Sequence, residues 1–220
     1  MKNILISTGG SGGHVIPATI LSEHLKKEFN IFMSSDDRGM KFINKNKFDI
    51  KIINVPKISK NIFLLPFQIF VLLVLTFNFI FFLKKKKIEI TISTGGYMSL
   101  PLCIASKLLN LKLFLFEPNM VLGRSNNLFI RYCTKVFCYS ENIKNFPIKF
   151  KKNISIIPAL LRKEFYSSKI INELNQEIRL LVIGGSQGAQ AFNTIIQDSV
   201  LELSKKLSLI HISEPTRLGM

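Results

Sequence analysis

Short apolar runs alternate along the chain with longer stretches whose apolar positions recur at helical spacing. "KNILIST" opens as a buried strand, and His14 to Lys27 reads as the helix behind it. "NIFMSS" (Asn30 to Ser35) and "IKIINV" (Ile50 to Val55) are the next strands. "IEITIST" (Ile88 to Thr94) is strongly β-like and leads into a helix from Met98 to Leu109. "LKLFLF" (Leu111 to Phe116), "KVFCYS" (Lys135 to Ser140) and "ISII" (Ile154 to Ile157) continue the series. Strands that are apolar throughout, with helices between them, predict an α/β fold built on a parallel sheet covered on both faces.

One segment breaks the rhythm. From Ile62 the chain is almost wholly apolar until Lys84–Lys87. As a helix it would extend ~33 Å, long enough for a bilayer. A true span would put the strands at Ile50 and Ile88 on opposite sides of a membrane and split one sheet. Pro66 and Gln68 also interrupt it. Gln68, Thr76 and Asn78 do not share a helix face, so the side turned from the sheet is apolar too. An apolar face beside four lysines fits insertion into an anionic membrane surface. The alternative is a helix buried by neighbours on both sides.

After Pro158 the chain turns polar, and "IRLLVIGG" (Ile178 to Gly185) then opens "GGSQGAQAFNTII". A fresh strand, glycine turn and helix predict the start of a second α/β domain. The expected organisation is a first domain over 1–163, an incomplete second over 164–206, and a tail over 207–220. The tail's "LSLIHISEPTR" resembles the translation of a sequencing-library adapter and is expected to be non-native.

Lys and Arg number 30 against 14 Asp and Glu, a formal charge of +16 over 220 residues. That excess favours an anionic partner, although richness in Lys, Ile, Asn and Phe without Trp also fits AT-rich coding. No RNP-like aromatic motif, zinc spacing or recognition helix is present, so nucleic acid is not expected. Cys103, Cys133 and Cys138 form no C-x-x-C, which predicts reduced structural thiols in a cytoplasmic protein. The N-terminus runs directly into a strand pattern, so no signal peptide is expected.

Three glycine turns follow strands: Gly9 to Gly13, "TGGYMS" at Thr94 to Ser99, and "GGSQGA" at Gly184 to Ala189. Such turns let backbone N–H groups and a helix N-terminus approach an anion, and three of them predict a diphosphate site. A nicotinamide dinucleotide fold is the first competitor, with Asp36 near the ribose-binding position. Its G-x-G-x-x-G fingerprint starting at Gly10 requires a glycine where Val15 stands, so it fails.

"GGSGGHVIPA", "STGGYMSLP", "EPNMVLGRSN" and "VIGGSQGAQAFN", in this order and spacing, resemble the MurG family of peptidoglycan N-acetylglucosaminyltransferases. The resemblance runs from Asn3 to Leu203. It implies a GT-B fold, with a complete Rossmann-like N-terminal domain and a second one only begun. The implied reaction is inverting transfer of GlcNAc from UDP-GlcNAc to the MurNAc C4 hydroxyl of lipid I, giving lipid II. No metal or cofactor is implied, and the implied location is the cytoplasmic face of the inner membrane. His14 becomes the candidate general base, with a helix-capping or phosphate-positioning histidine as the alternative. Ser11, Gly12 and Gly13 match the first loop on the donor-sugar side, with Gly10 beside the acceptor diphosphate. Gly95, Gly96 and Tyr97 match the loop that holds the lipid diphosphate. Asn119 matches a GlcNAc contact, Arg162 a residue near the donor, and Ser186 and Gln187 the loop holding the UDP diphosphate. Glu117 is either catalytic or a polar core residue, and Arg162 either a donor contact or a surface ion pair. Pro118 replaces the family's usual Gln, and "PALLR" lacks the usual Asn before Pro. A non-catalytic polyprenyl-diphosphate-binding domain, and a GT-B enzyme with another lipid acceptor, are the remaining readings.

Overall fold

The computed structural model describes residues 1–56, 63–166, 199 and 201–202. The chain divides into two compact units, Met1–Ser168 and Lys169–Met220. All named elements lie in the first. Ser186, Gln187, the strand expected at Ile178–Gly185 and the tail at 207–220 lie outside the described residues, as does nearly all of the expected second domain.

The elements run β1 (Lys2–Ser7), α1 (Gly12–Leu25), β2 (Phe29–Ser35), β3 (Asp49–Ile52), α2 (Leu65–Lys85), β4 (Ile90–Ser93) and α3 (Leu100–Leu108). Then follow β5 (Lys112–Glu117), α4 (Arg124–Phe129), β6 (Lys135–Cys138), β7 (Ile154–Ile156) and α5 (Lys163–Tyr166). The seven strands form one sheet, ordered β3-β2-β1-β4-β5-β6-β7, and every pairing is parallel. Strand alternation sends Ile4 and Ile6 to one face, where they pack with Val15 and Ala18 of α1, and Leu5 to the other. On that second face Phe79 and Leu83 of α2 and Leu102 and Ala105 of α3 complete the core. Cys103, Cys133 and Cys138 are buried free thiols, and burial pushes Cys103 up to about 12 and Cys133 to about 11.

The chain winds outward from β1 to β3, then returns to lay β4 against the other side of β1. This reversal is a topological switch point, where parallel sheets leave a crevice beyond their strand ends. The strands match the apolar runs, with β3 ending at Ile52 rather than Val55. The first helix begins at Gly12, two residues before the expected start, because the Ser11 carbonyl already accepts the N–H groups of His14 and Val15. Pro17 therefore sits in the helix interior and not in its first turn. Its ring nitrogen has no N–H to donate to the Gly13 carbonyl four residues back.

By length and composition α2 meets the requirement of a membrane span, with mean hydropathy 2.2 over its most apolar window. It connects two strands of one sheet, however, as the topology argument requires. Thr76, Phe79 and Leu83 face inward, whereas Phe67, Phe70, Phe77 and Phe81 are exposed. Among the described residues nothing covers that outer face. Lys84, Lys85 and Lys87 are exposed. Lys86 instead donates to Asp49 Oδ2 at 2.7 Å and lies 5.0 Å from the Phe32 ring centroid. Lys87 takes a left-handed φ of 48°, and Ile88 N–H caps the Leu83 carbonyl at 2.9 Å, which turns the chain sharply into β4.

Candidate functional site

The first glycine loop leaves β1 beside β4. Ser7 is in register with Ser93, and the Thr94 N–H donates to the Ser7 carbonyl at 3.0 Å, so the loops after β1 and β4 emerge together. Gly10 (φ 81°), Gly95 (φ 88°) and Gly96 (φ 74°) occupy the left-handed region that side chains disfavour. A Cβ on Gly9 would stand 2.9 Å from Asp36 Oδ1 and 3.0 Å from Met98 Cγ, and one on Gly96 would stand 4.0 Å from the Gly9 carbonyl oxygen. The two loops approach this closely because both are bare backbone.

Ser11 caps α1 with extended backbone (φ −91°, ψ 159°) and no side-chain hydrogen bond. The amides of Gly12 and Gly13 therefore head a helix of 14 residues, where the backbone dipoles carry partial positive charge. His14 follows in the same turn. It is half-buried, and its Nδ1 is buried with no hydrogen-bond partner. Imidazole is the side chain most often used to take a proton from a hydroxyl at neutral pH.

A third turn completes the edge. Glu117, at the end of β5, is 1% exposed and accepts four hydrogen bonds. These come from the Asn119 N–H (3.3 Å), Asn119 Nδ2 (3.0 Å), the Gly123 N–H (2.8 Å) and Asn126 Nδ2 (3.0 Å). Glu117 is thus the polar hub that folds this turn and holds Asn119. Asn126 also borders Gly95, and the Ser125 and Ser99 hydroxyls are 3.2 Å apart, which joins the third turn to the second loop.

Asp36 leaves β2 at the same edge, and both of its carboxylate oxygens are engaged within the protein. Its Oδ1 accepts the N–H groups of Gly10 (2.8 Å) and Gly39 (2.9 Å), and its Oδ2 accepts Arg38 Nε at 2.8 Å. Burial alone would raise its pKa. The two amides and the guanidinium outweigh that effect and hold the carboxyl below the usual aspartate range. The same bond to Asp36 raises the Arg38 pKa further. Because the Gly10 amide is engaged by Asp36, Gly10 offers a ligand close backbone approach and not a donor. Among the described residues, no three His, Cys, Asp or Glu side chains converge to hold a metal ion.

The structure therefore brings Gly10, Ser11, Gly12, Gly13, His14, Gly95, Gly96 and Tyr97 to one edge, with the Asn119 turn beside them. Arg162 is not among them. The segment after β7 runs back along α1, where the Leu161 carbonyl lies 3.2 Å from His24 Nε2 and the Leu161 N–H donates to the Tyr166 hydroxyl. His24 is ten residues from His14, or ~15 Å along the helix axis. Ser99 and Asn126 lie inside the quoted motifs without a role assigned to them, and Arg38 lies outside every motif. The signal for Arg38 is its place just after a strand end, at the edge where the loops gather.

The profile of the glycosyltransferase family 28 N-terminal domain matches residues 4–138. A UDP-N-acetylglucosamine–N-acetylmuramyl-(pentapeptide) pyrophosphoryl-undecaprenol N-acetylglucosamine transferase of Pelagibacter ubique is 56% identical over 94% of the chain and 58% of its own length. The same-named protein of Prochlorococcus marinus strain MIT 9312 is 34% identical over 96% of the chain and 59% of its length. The chain thus spans less than two thirds of these relatives. The crystal structure of Acinetobacter baumannii MurG superposes with a TM-score of 0.70 at 22% identity, covering 92% of this chain and 58% of that one. A Staphylococcus aureus MnaA–UDP structure gives 0.52 at 13% identity, covering 71% and 43%. These likenesses establish the fold, that of the GT-B N-terminal domain.

Proposed function

The chain belongs to glycosyltransferase family 28, and from that premise we propose that it is the acceptor-side part of an enzyme that converts lipid I to lipid II. The donor is UDP-GlcNAc, and the acceptor is the C4 hydroxyl of the lipid-linked MurNAc-pentapeptide. The observation that carries this reading is the apposition of Gly9 and Gly96 at the switch point, with the N-terminus of α1 and the His14 imidazole, whose buried Nδ1 has no hydrogen-bond partner, beside them. The names of the relatives support the same chemistry.

In this reading His14 accepts the proton of the C4 hydroxyl as its oxygen bonds to the anomeric carbon. The bond from that carbon to the UDP diphosphate breaks on the opposite side, so the configuration inverts. Ser11, Gly12 and Gly13 line the reacting sugar, with backbone amides and the α1 dipole favouring nearby anionic oxygens. Gly10, Gly95, Gly96 and Tyr97 surround the lipid diphosphate, and Asn119 contacts the GlcNAc. Ser186, Gln187 and Arg162 belong to the donor side. Residues 1–163 form the acceptor domain, 164–206 begin the donor domain, and 207–220 are a non-native tail.

The exposed apolar face of α2, with Lys84, Lys85 and Lys87 at its end, supports peripheral attachment to the anionic cytoplasmic face of the inner membrane. That location would bring the crevice to a lipid acceptor.

Radiolabelled GlcNAc transfer by the product of the complete gene tests the reaction. Labelled lipid II formed from lipid I is the expected result. Transfer only to a different polyprenyl-linked acceptor would reassign the substrate, and no transfer to any lipid would refute the activity.

A further inference from the structure

Two loops built of glycine have few side chains to hold them together, yet an amide cradle works only if its geometry is fixed before the ligand arrives. The structure contains a device that fixes it. The 2%-exposed Asp36 carboxylate grips the first loop at Gly10 and its own turn at Gly39. Its second oxygen holds Arg38 Nε, and Arg38 Nη2 reaches across to the second loop, donating to the Tyr97 hydroxyl at 2.7 Å. The guanidinium carbon also lies 5.7 Å from the Tyr97 ring centroid. An unbroken chain of contacts thus runs from Gly10 through Asp36 and Arg38 to Tyr97.

We propose that Asp36 and Arg38 are positioning residues that clasp the first and second glycine loops, presetting the Gly96–Tyr97 backbone and the Tyr97 hydroxyl for the diphosphate of a prenyl-linked substrate. This rests on the diphosphate reading of the site. Arginine suits the task because its rigid fork donates to two acceptors in different directions at once, which a lysine ammonium on a flexible stem does not reproduce. Tyr97 is the acceptor in its bond with Arg38, so its own hydroxyl proton remains available to a phosphate oxygen. Arg38 acts through Tyr97, and its charge is already countered by Asp36.

The test uses the 220-residue chain and four variants: Arg38→Ala, Arg38→Lys, Tyr97→Phe and the double Arg38→Ala/Tyr97→Phe. Tyr97→Phe removes one hydroxyl while leaving the Asp36–Arg38 pair intact, so it is informative even if Arg38→Ala destabilises the fold. Amide hydrogen exchange at Gly95 and Ser99 reports loop order, and calorimetric titration with farnesyl diphosphate reports the cradle. Each single variant is expected to raise exchange at both amides and to weaken farnesyl diphosphate binding by about tenfold, in line with loss of one charge-assisted hydrogen bond. The double variant should be no weaker than Tyr97→Phe, because Arg38 acts on the cradle only through the Tyr97 hydroxyl. Unchanged exchange in Arg38→Ala and Tyr97→Phe overturns the clasp, and so do additive losses in the double variant. Raised exchange with equal farnesyl diphosphate binding by all chains overturns its role in the cradle. Raised exchange in variants of a chain whose wild type binds no diphosphate keeps the clasp and refutes the function proposed above.

Discussion

Asn126 donates to the buried Glu117 carboxylate at 3.0 Å, and its Nδ2 lies 3.2 Å from where a Cβ on Gly95 would stand. One amide thus couples the turn after β5 to the glycine loop after β4. Gly95→Ala would meet two obstacles, a left-handed φ of 88° and the Asn126 side chain. The conformational term alone is worth about 1–2 kcal/mol. Thermal unfolding should register a loss of at least that size, and Asn126→Ala should relieve only the steric part of it.

Glu117 faces donors on every side, so replacing one of its oxygens with an NH2 group sets donor against donor. Glu117→Gln is expected to cost about 1–3 kcal/mol, a fall of roughly 2–4 °C in Tm per kcal/mol for a domain of this size. Urea denaturation of the two proteins under identical conditions measures it. An unchanged midpoint would remove Glu117 from its role as hub.

Acid should loosen the first loop through Asp36. Although burial opposes it, the pKa of this carboxyl in the folded protein lies below its unfolded value because Gly10, Gly39 and Arg38 bond to the charged form. A depressed carboxyl contributes stability that is present above the unfolded pKa, about 3.9, and is lost as pH falls through the folded value. The stability gap between wild type and Asp36→Asn should therefore be constant from neutral pH to about pH 5 and shrink below about pH 4. Urea midpoints collected across that range give the curve.

The sheet was legible because parallel strands buried on both faces leave uninterrupted apolar runs, and Leu5, Leu115 and Val136 are indeed fully buried. The glycine loops were legible for the same local reason, since each follows a strand end. The start of α1 was obscured because Gly12 and Gly13 are poor helix formers; Gly12 is accommodated against Phe42, whose ring lies 3.3 Å from its would-be Cβ. Asp36 and Arg38 could not be assigned from spacing. Their partners Gly10 and Tyr97 lie 26 and 59 positions away, and only the winding of β1, β2 and β4 brings them together. Arg162 is a different case: its segment lies beside α1, with the Leu161 carbonyl 3.2 Å from His24 Nε2, a placement that no motif spacing carries.

The outer face of α2 gives a prediction in which binding and stability separate. Phe70 and Phe77 are 63% and 61% exposed, so Phe70→Ser/Phe77→Ser should leave folding stability within about 0.5 kcal/mol. Burying a phenylalanine in an apolar medium is worth about 1.5–3 kcal/mol, so partition onto anionic liposomes should fall by tenfold or more. Changing Lys84, Lys85 and Lys87 to Gln should weaken binding to acidic vesicles and leave neutral ones unaffected. Lys86 is left in place, because its bond to Asp49 serves the fold. Undiminished pelleting of both variants would argue against attachment through this face.

His14 offers the sharpest separation between chemistry and positioning. Its Nδ1 is buried without a partner at the head of α1, beside the loops that approach each other at Gly9 and Gly96. A general base contributes roughly 10²–10⁴-fold to a proton transfer, so in the complete enzyme His14→Ala should lower kcat by that factor with little change in KM for lipid I. A residue that only orders the loop or bonds a phosphate would act the other way, raising KM while kcat stays within a small factor. The pH profile adds an independent arm. A general base gives kcat an acidic limb, and if His14 is that base the limb should vanish in His14→Ala while the residual rate remains measurable. An acidic limb that survives the substitution would assign the proton transfer to another group.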